Sequence, residues 1–252
     1  MIAGLWSLGA ALPAKAVVVA NYQFQNTLSS TIPTAPDLVP FISGTYSPAT
    51  IGGTPTTVYN FGANQGLSLT TTGLISDNFT IATLLSFDNI SEYKRILDFK
   101  NLTSDTGLYT LFGQLVFYNQ ATGGPAVGPG TFFEAVLTRN SSNNLVTAYL
   151  DGIQVFSFTD SSSFAVISAD NLLNFFQDDN VVAGEVSSGS VAGIRIFDNV
   201  LTATEVADLN LLSPSAPPTS EVPAPLPLLG VGAVFGWSRR LRRHLRRSTP
   251  TA

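Results

Sequence analysis

Short segments rich in β-branched and aromatic residues follow one another through most of the chain, and each is bounded by Asn, Asp, Gly or Ser. Strands have this composition and these boundaries. Clear examples are residues 80–87, 107–118 and 131–139. Many short strands without a long helical period predict an all-β body over residues 17–212, built as an antiparallel sandwich or barrel.

One hairpin and one helix can be predicted in detail. Residues 145–150 and 153–158 are separated by Asp151-Gly152, which favours a type I′ turn because both residues tolerate positive φ. Thr202 and Glu205 have the spacing of a capping box, so we expect a short helix over 202–209. Residues 168–175 are a second, weaker helical candidate.

Composition excludes several kinds of catalytic site. The 252 residues include no cysteine, and the one histidine, His244, lies close to the carboxyl terminus. Disulfides, thiol nucleophiles, Ser-His-Asp triads and His-ligated zinc are therefore excluded from the body. All 17 acidic residues lie at or before Glu221, whereas six of the 12 basic residues lie at 239–247. Such an acidic body repels nucleic acid.

The amino-terminal segment has the pattern of a signal peptide. An apolar run at 2–12 precedes Pro13 and the small residues Ala14 and Ala16, an A-x-A cleavage pattern. We expect a signal peptide over 1–16, export, and a mature chain that starts at Val17. No basic residue precedes the apolar run, and a buried terminal strand or helix is the alternative.

The carboxyl-terminal segment has three parts after a Pro/Ser-rich linker at 213–221. They are the box Val222-Pro223-Ala224-Pro225, an apolar run at 226–237, and a cluster of arginines: Arg239, Arg240, Arg242, Arg243, Arg246 and Arg247. A short membrane helix with the arginines on the cytoplasmic side fits this order. A nucleic-acid arm and a helix lying on the membrane surface are the alternatives.

This order over residues 222–247 resembles the PEP-CTERM sorting signal of exopolysaccharide-producing bacteria. The resemblance implies an exosortase-like processing enzyme as a partner, followed by release or transfer to the cell surface. Val222, Pro223 and Pro225 match the box, and Ala224 stands where glutamate is usual.

Within the body, residues 21–28, 147–152 and 189–209 resemble the first strand, the central hairpin, and the closing strand and helix of laminin-G-like, concanavalin A-like lectin/glucanase domains. The resemblance implies a two-sheet antiparallel jelly-roll sandwich that binds carbohydrate or protein, often with one Ca²⁺. Many relatives carry an acidic pair where this chain has Ala192-Gly193. Glucanases of this fold place carboxylates at period two in one strand, whereas Glu134 has no acidic partner at i+2.

Two groups of residues are candidate binding sites. Asp178, Asp179 and Glu185, with Asn180, form an oxygen-rich cluster that suits Ca²⁺ or is only a solvated loop. Aromatic residues are candidates either for a sugar-stacking surface or for the core: Tyr22, Tyr93, Tyr109, Phe132 and Phe133.

Together these features predict an exported, non-enzymatic glycan-binding or adhesion protein, tethered to the membrane and then present at the cell surface or in the extracellular matrix. A glycan hydrolase or lyase on the same fold, and a structural matrix protein, are the alternatives. Extracellular polysaccharide or surface proteins are the expected partners.

Overall fold

The computed structural model describes residues 15–213, which form two packed antiparallel sheets and one short helix. The elements are β1 (Val18–Tyr22), β2 (Val39–Pro40), β3 (Thr45–Ile51), β4 (Thr54–Phe61), β5 (Leu67–Thr70), β6 (Phe79–Phe87), β7 (Tyr93–Asp98), β8 (Gly107–Leu111), β9 (Gln114–Phe117), β10 (Ala121–Gly123), β11 (Phe133–Asn140), β12 (Leu145–Leu150), β13 (Ile153–Thr159), β14 (Leu172–Phe175), β15 (Gly189–Phe197) and α1 (Ala203–Ala207).

The larger sheet has eight strands in the order β13-β12-β11-β6-β15-β4-β3, with β1 paired to the far end of β15. The smaller sheet has seven strands in the order β10-β9-β8-β7-β14-β5-β2. Every strand pair is antiparallel, which confirms the predicted two-sheet sandwich. In a sandwich of this kind, one face of each sheet is packed inward and the other is free to meet loops or water.

The main core lies between the sheets and is rich in phenylalanine. Phe61, Phe87 and Phe176 form one group of rings, with the rings of Phe61 and Phe176 stacked at 4.5 Å. Tyr22 and Phe133 are also fully buried in this core. These two aromatics therefore stabilise the sandwich, and the sugar-stacking interpretation is wrong for them.

A second apolar cluster lies on the outer face of the larger sheet. It consists of Ala82, Val136, Tyr149, Phe197, Leu201, Val206 and Leu211. The segment that contains α1 covers this face and supplies Val206 from the helix. Arg195, on the same face, donates to Asn21 Oδ1 at 3.0 Å and to the carbonyl of Ser213 at 2.6 Å. This contact ties the first strand to the last described residue.

The predicted turn and cap are confirmed. Asp151 and Gly152 both have positive φ, at 49° and 78°, as a type I′ turn requires. The hydroxyl of Thr202 accepts from the backbone N–H of Glu205, and the Glu205 carboxylate accepts from the backbone N–H of Thr202. The helix spans Ala203–Ala207 and is therefore shorter than the predicted range of 202–209.

Two expectations about individual segments are wrong. Residues 172–175 form β14 between β5 and β7, so the helical prediction for 168–175 fails. Residues 107–118 form two strands, because Phe112 and Gly113 adopt positive φ and turn the chain back. In both cases backbone pairing with neighbouring strands overrides the local sequence preference.

Among residues 15–213, no helix has the length and apolar character needed to cross a membrane. The proposed Ala14 cleavage position, the sorting box and the arginine cluster lie outside the described residues.

Candidate functional site

A row of side chains crosses the smaller sheet on the face that points away from the core. Arg95 of β7 pairs with Tyr109 of β8, which pairs with Val116 of β9. Their neighbours Leu108 and Phe117 point to the opposite face and belong to the core cluster. Because side chains alternate between faces, Arg95, Tyr109 and Val116 lie together on the outer face.

Three tyrosines surround one another on this face. The ring of Tyr93 lies 5.8 Å from that of Tyr109 and 5.5 Å from that of Tyr118, and all three pairs meet edge to face. Tyr109 is fully buried beneath the group, whereas Tyr93 and Tyr118 are half-buried. The guanidinium carbon of Arg95 lies 4.5 Å from the Tyr109 ring centre, a cation–π contact. Tyr93 and Tyr118 thus present aromatic surface to solvent.

Arg95 is buried among four carboxylates. Its Nη1 donates to Asp98 at 3.1 Å, and its Nη2 donates to Asp179. The same Nη2 lies 3.7 Å from an oxygen of Asp105 and 3.7 Å from one of Glu185. A fully buried charge is stable only with partners of opposite sign, and here the partners outnumber it.

The acidic loop before β15 is attached to β7 at this point. The backbone N–H of Arg95 donates to the carbonyl of Glu185 at 2.8 Å. Asp179 Oδ1 accepts from the backbone N–H groups of Val181 and Val182, at 2.6 and 2.8 Å. These bonds hold the loop beside β7 and bring its carboxylates to Arg95.

Burial raises the pKa of several acids in this cluster. Burial, followed by the negative charge of Asp105, raises the pKa of Glu185 from 4.5 to about 7. Burial also raises the pKa values of Asp98 and Asp105. The charge of Asp105 raises the pKa of the Tyr118 hydroxyl. Glu185 Oε2 is buried and accepts no hydrogen bond within the described part of the chain.

A groove of about 360 Å³ runs from this cluster along the edge of the tyrosines. Its lining includes Glu92, Tyr93, Leu111, Phe112, Val182 and Glu185. Phe112, at the tip of the β8–β9 turn, is 63% exposed, and Val182 is 42% exposed. The groove therefore combines exposed aromatic and aliphatic surface with a carboxylate at one end, which suits a ligand that has both apolar faces and polar groups.

The structure brings together only part of the predicted acidic site. Asp179 and Glu185 meet, and Asp105 joins them, with carboxylate oxygens of the three within 4.8 Å of one another. Asp178 is not in this group; its carboxylate accepts from the backbone N–H of Gly184 at 2.8 Å. The backbone N–H of Asn180 donates to the carbonyl of Leu102.

The sequence reasoning missed Arg95, Asp105 and Tyr118, which come from other strands and loops. Of the predicted aromatics, Tyr93 and Tyr109 are in the site and Phe132 is half-buried outside it. A sequence signal for these residues was their period-two spacing, which places two side chains on one face of a strand. It relates Tyr93 to Arg95 and Val116 to Tyr118.

The acidic group does not fit calcium in this arrangement. Calcium takes six to eight oxygen ligands, whereas the oxygens of Asp105, Asp179 and Glu185 already surround Arg95 Nη2. A second cation at the same place would be repelled by the guanidinium. Ala192 and Gly193, which replace the acidic pair of many relatives, lie within β15 and offer no side-chain oxygen.

The model of the concanavalin A-like lectin/glucanases superfamily matches residues 61–207, more than half of the chain. The chain belongs to this superfamily. The matched range contains the three tyrosines, Arg95 and the acidic loop. No curated protein sequence matches the chain.

Solved structures share the fold at low identity. Domain 4 of AbnA, a GH43 extracellular arabinanase from Geobacillus stearothermophilus in complex with arabinotriose, has a TM-score of 0.61 and 14% identity over 79% of this chain and 100% of that domain. The binding domain of botulinum neurotoxin DC, in complex with rat synaptotagmin II, has a TM-score of 0.54 and 13% identity over 75% of this chain and 50% of that one. The binding domain of Paraclostridial Mosquitocidal Protein 1 has a TM-score of 0.56 and 12% identity over 75% and 51%. This chain thus corresponds to about half of each toxin binding domain.

The raised pKa of Glu185 makes stability depend on pH. Glu134, on the outer face of the larger sheet, has a pKa raised to about 7 by burial and by Asp151. For both groups the folded state binds more protons between about pH 4.5 and 7. We expect the free energy of unfolding, measured with urea, to fall as pH rises through this window, by roughly 1–2 kcal/mol per group after solvent screening.

Glu185→Gln and Glu134→Gln each remove one of these protonation sites, so each variant should flatten part of the pH slope. Glu134 lies in β11 of the larger sheet and Glu185 in the acidic loop beside the smaller sheet, so their effects should add. A slope that both variants leave unchanged would show that the two carboxyl groups ionise normally.

Because Arg95 stands among the carboxylates, we expect the melting temperature to be the same within about 1 °C in chelator and in millimolar calcium. Magnesium at matched ionic strength is the control for general salt effects. A saturable rise that is specific to calcium would mean that the loop rearranges to bind the ion.

Proposed function

We propose that this protein is an exported, non-enzymatic glycan-binding or adhesion protein that acts at the cell surface or in the extracellular matrix. The observation that carries the proposal is the pair of half-exposed tyrosines, Tyr93 and Tyr118, beside a groove that ends at Glu185. Sugar rings have apolar faces that pack on aromatic rings, and hydroxyl groups that donate to carboxylates.

The comparisons support this ligand class. Domain 4 of the arabinanase was solved with arabinotriose, and its whole length corresponds to this chain. A neurotoxin binding domain of the same fold was solved with synaptotagmin II. Extracellular polysaccharide is therefore the proposed partner, and a surface protein is the second candidate.

One observation favours the alternative of a hydrolase or lyase. Burial raises the pKa of Glu185 to about 7, and Glu185 lies beside a second carboxyl group, that of Asp105. Retaining glycosidases place their two carboxyl groups about 5–5.5 Å apart with the sugar between them. Here the carboxyl groups share Arg95 as a neighbour, and the guanidinium occupies the space beside them. This arrangement supports binding without bond cleavage. A purely structural matrix protein is the remaining alternative.

The contact between Val17 and Asp198 is compatible with export and cleavage after Ala16. The backbone nitrogen of Val17 donates to Asp198 Oδ1 at 2.8 Å, and the backbone N–H of Asp198 donates to the carbonyl of Val17. Cleavage after Ala16 would give Val17 a free ammonium group in contact with the Asp198 carboxylate, a charge-assisted bond. A signal peptidase cut at that position therefore keeps and strengthens this contact, while it removes Ala16, which packs at the edge of the second apolar cluster.

Surface display is proposed from the carboxyl-terminal sequence. Ser213 is bound to Arg195 on the outer face of the larger sheet, whereas the groove is on the outer face of the smaller sheet. A membrane tether is proposed for the segment that follows Ser213. We propose that the tether is the PEP-CTERM-like segment at 222–247, and that an exosortase-like enzyme processes it.

Replacement of either exposed tyrosine should weaken glycan binding. We expect Tyr93→Ala and Tyr118→Ala each to reduce affinity about 3- to 10-fold for any neutral oligosaccharide that the protein binds in a calorimetric panel of glucans, arabinans and xylans. Tyr46→Ala is the matched control, because Tyr46 is a half-buried tyrosine of the larger sheet. Binding that all three variants retain, or release of reducing sugar by the wild type, would contradict the proposal.

Processing can be checked by intact mass of the protein from its native host. We expect a chain that begins at Val17 and has lost the segment after the box at 222–225. A chain that retains both Met1 and Ala252 would contradict export and sorting, while leaving glycan binding to its own test.

A further inference from the structure

The turn between β8 and β9 carries an aromatic residue in a backbone conformation that aromatic residues rarely adopt. Phe112 has a φ of 48° and Gly113 a φ of 84°, which are the values of a two-residue type I′ turn. Asparagine or aspartate is favoured before the glycine of such a turn, because its side chain tolerates positive φ. A phenylalanine at this position strains the backbone, and strained residues are found most often at functional sites.

Phe112 regains little of this cost through packing, because the residue is 63% exposed. Its backbone is nevertheless held from two sides. The N–H of Phe112 donates to the carbonyl of Glu92 at 3.3 Å, and the carbonyl of Gly113 accepts from the N–H of Val127 at 3.1 Å. The turn therefore presents an aromatic ring to solvent on a fixed support, and a preorganised aromatic surface lowers the entropic cost of binding a ligand.

Phe112 lines two grooves. One is the groove of Tyr93, and the other, of about 350 Å³, includes Asn89, Ile90 and Pro129 in its lining. Ser91 lines the second groove and the next residue, Glu92, lines the first, so the chain between β6 and β7 forms a continuous wall along both. Phe112 thus stands where the two grooves meet.

The second groove offers surface that suits a sugar. Ile90 is half-buried and Pro129 is exposed, and both give it apolar surface. Asn89 Oδ1 accepts from the backbone N–H and from the hydroxyl of Ser91, both at 2.7 Å, which leaves the amide Nδ2 as a donor for a ligand hydroxyl. Apolar surface next to a polar donor continues the chemistry of the first groove.

We infer that the glycan site continues from Tyr93 across Phe112 into the second groove, so that the protein binds a linear sugar chain longer than a trimer. The ring of Phe112 packs on a sugar between the grooves, and Tyr93 and Asn89 contact units on either side. The first groove alone, at about 360 Å³, lies near the lower limit of small-molecule sites, about 300–1,000 Å³, and fits a short oligosaccharide. This inference rests on the proposed glycan-binding function and names the length and shape of its ligand.

The test compares the trimer and the hexamer of one neutral sugar by calorimetry on the full chain. The probes are the β-1,4-linked glucose, β-1,4-linked xylose and α-1,5-linked arabinose series. For the series that binds, we expect the hexamer to bind at least about 10-fold more tightly than the trimer. A short site gains only a few-fold from the extra registers of a longer chain, so a ratio of that size or smaller overturns the inference.

Phe112→Asn keeps the turn and removes the ring. We expect its melting temperature to equal or exceed that of the wild type, because asparagine tolerates positive φ, and its hexamer-to-trimer ratio to fall to a few-fold. Phe41→Ala is the matched control, because Phe41 is 44% exposed and lines neither groove. This control should keep the wild-type ratio. A folded Phe112→Asn protein that keeps the preference for the hexamer overturns the inference.

The outcomes separate the two proposals. If trimer and hexamer bind equally and both depend on Tyr93, the extended site fails and the proposed function stands. If no glycan binds at all, both fail.

Discussion

The outer face of the smaller sheet depends on the ion pairs that the buried guanidinium of Arg95 makes with its four carboxylate neighbours. This guanidinium joins β7, the segment before β8 and the loop before β15 through Asp98, Asp105, Asp179 and Glu185. Without it, four buried or half-buried carboxylates would repel one another, at a cost of several kcal/mol. The same contact holds the acidic loop beside the tyrosines and so defines the groove.

The two outer faces of the sandwich have different uses. The larger sheet is covered by its own chain, through the cluster around Val206 and the bonds from Arg195 to both ends of the domain. The smaller sheet carries half-exposed tyrosines, an incompletely paired carboxylate and exposed Phe112. An uncovered polar and aromatic face suits the proposed binding role.

Parts of the site could be foreseen and others could not. Tyr93 and Tyr109 were candidates by residue type, and Asp179 and Glu185 by their proximity in sequence. Arg95 could not be assigned to the acidic loop from the sequence. Arg95 and Asp179 are 84 residues apart along the chain and meet only through sheet pairing and loop closure. The calcium hypothesis stays a prediction that this arrangement does not favour, since a guanidinium distant in sequence lies among the three carboxylates.

Sequence alone determined the features that arise from neighbouring residues. These are the alternation that makes the body all-β, the positive φ at Asp151-Gly152, the capping box at Thr202, and the absence of thiol and imidazole chemistry from the body. Only the tertiary structure decided which tyrosines are core and which face a groove, that residues 172–175 are a strand, and that four acids share one arginine. The physical reason is that turns and caps are short-range, whereas burial and charge pairing depend on which strands become neighbours.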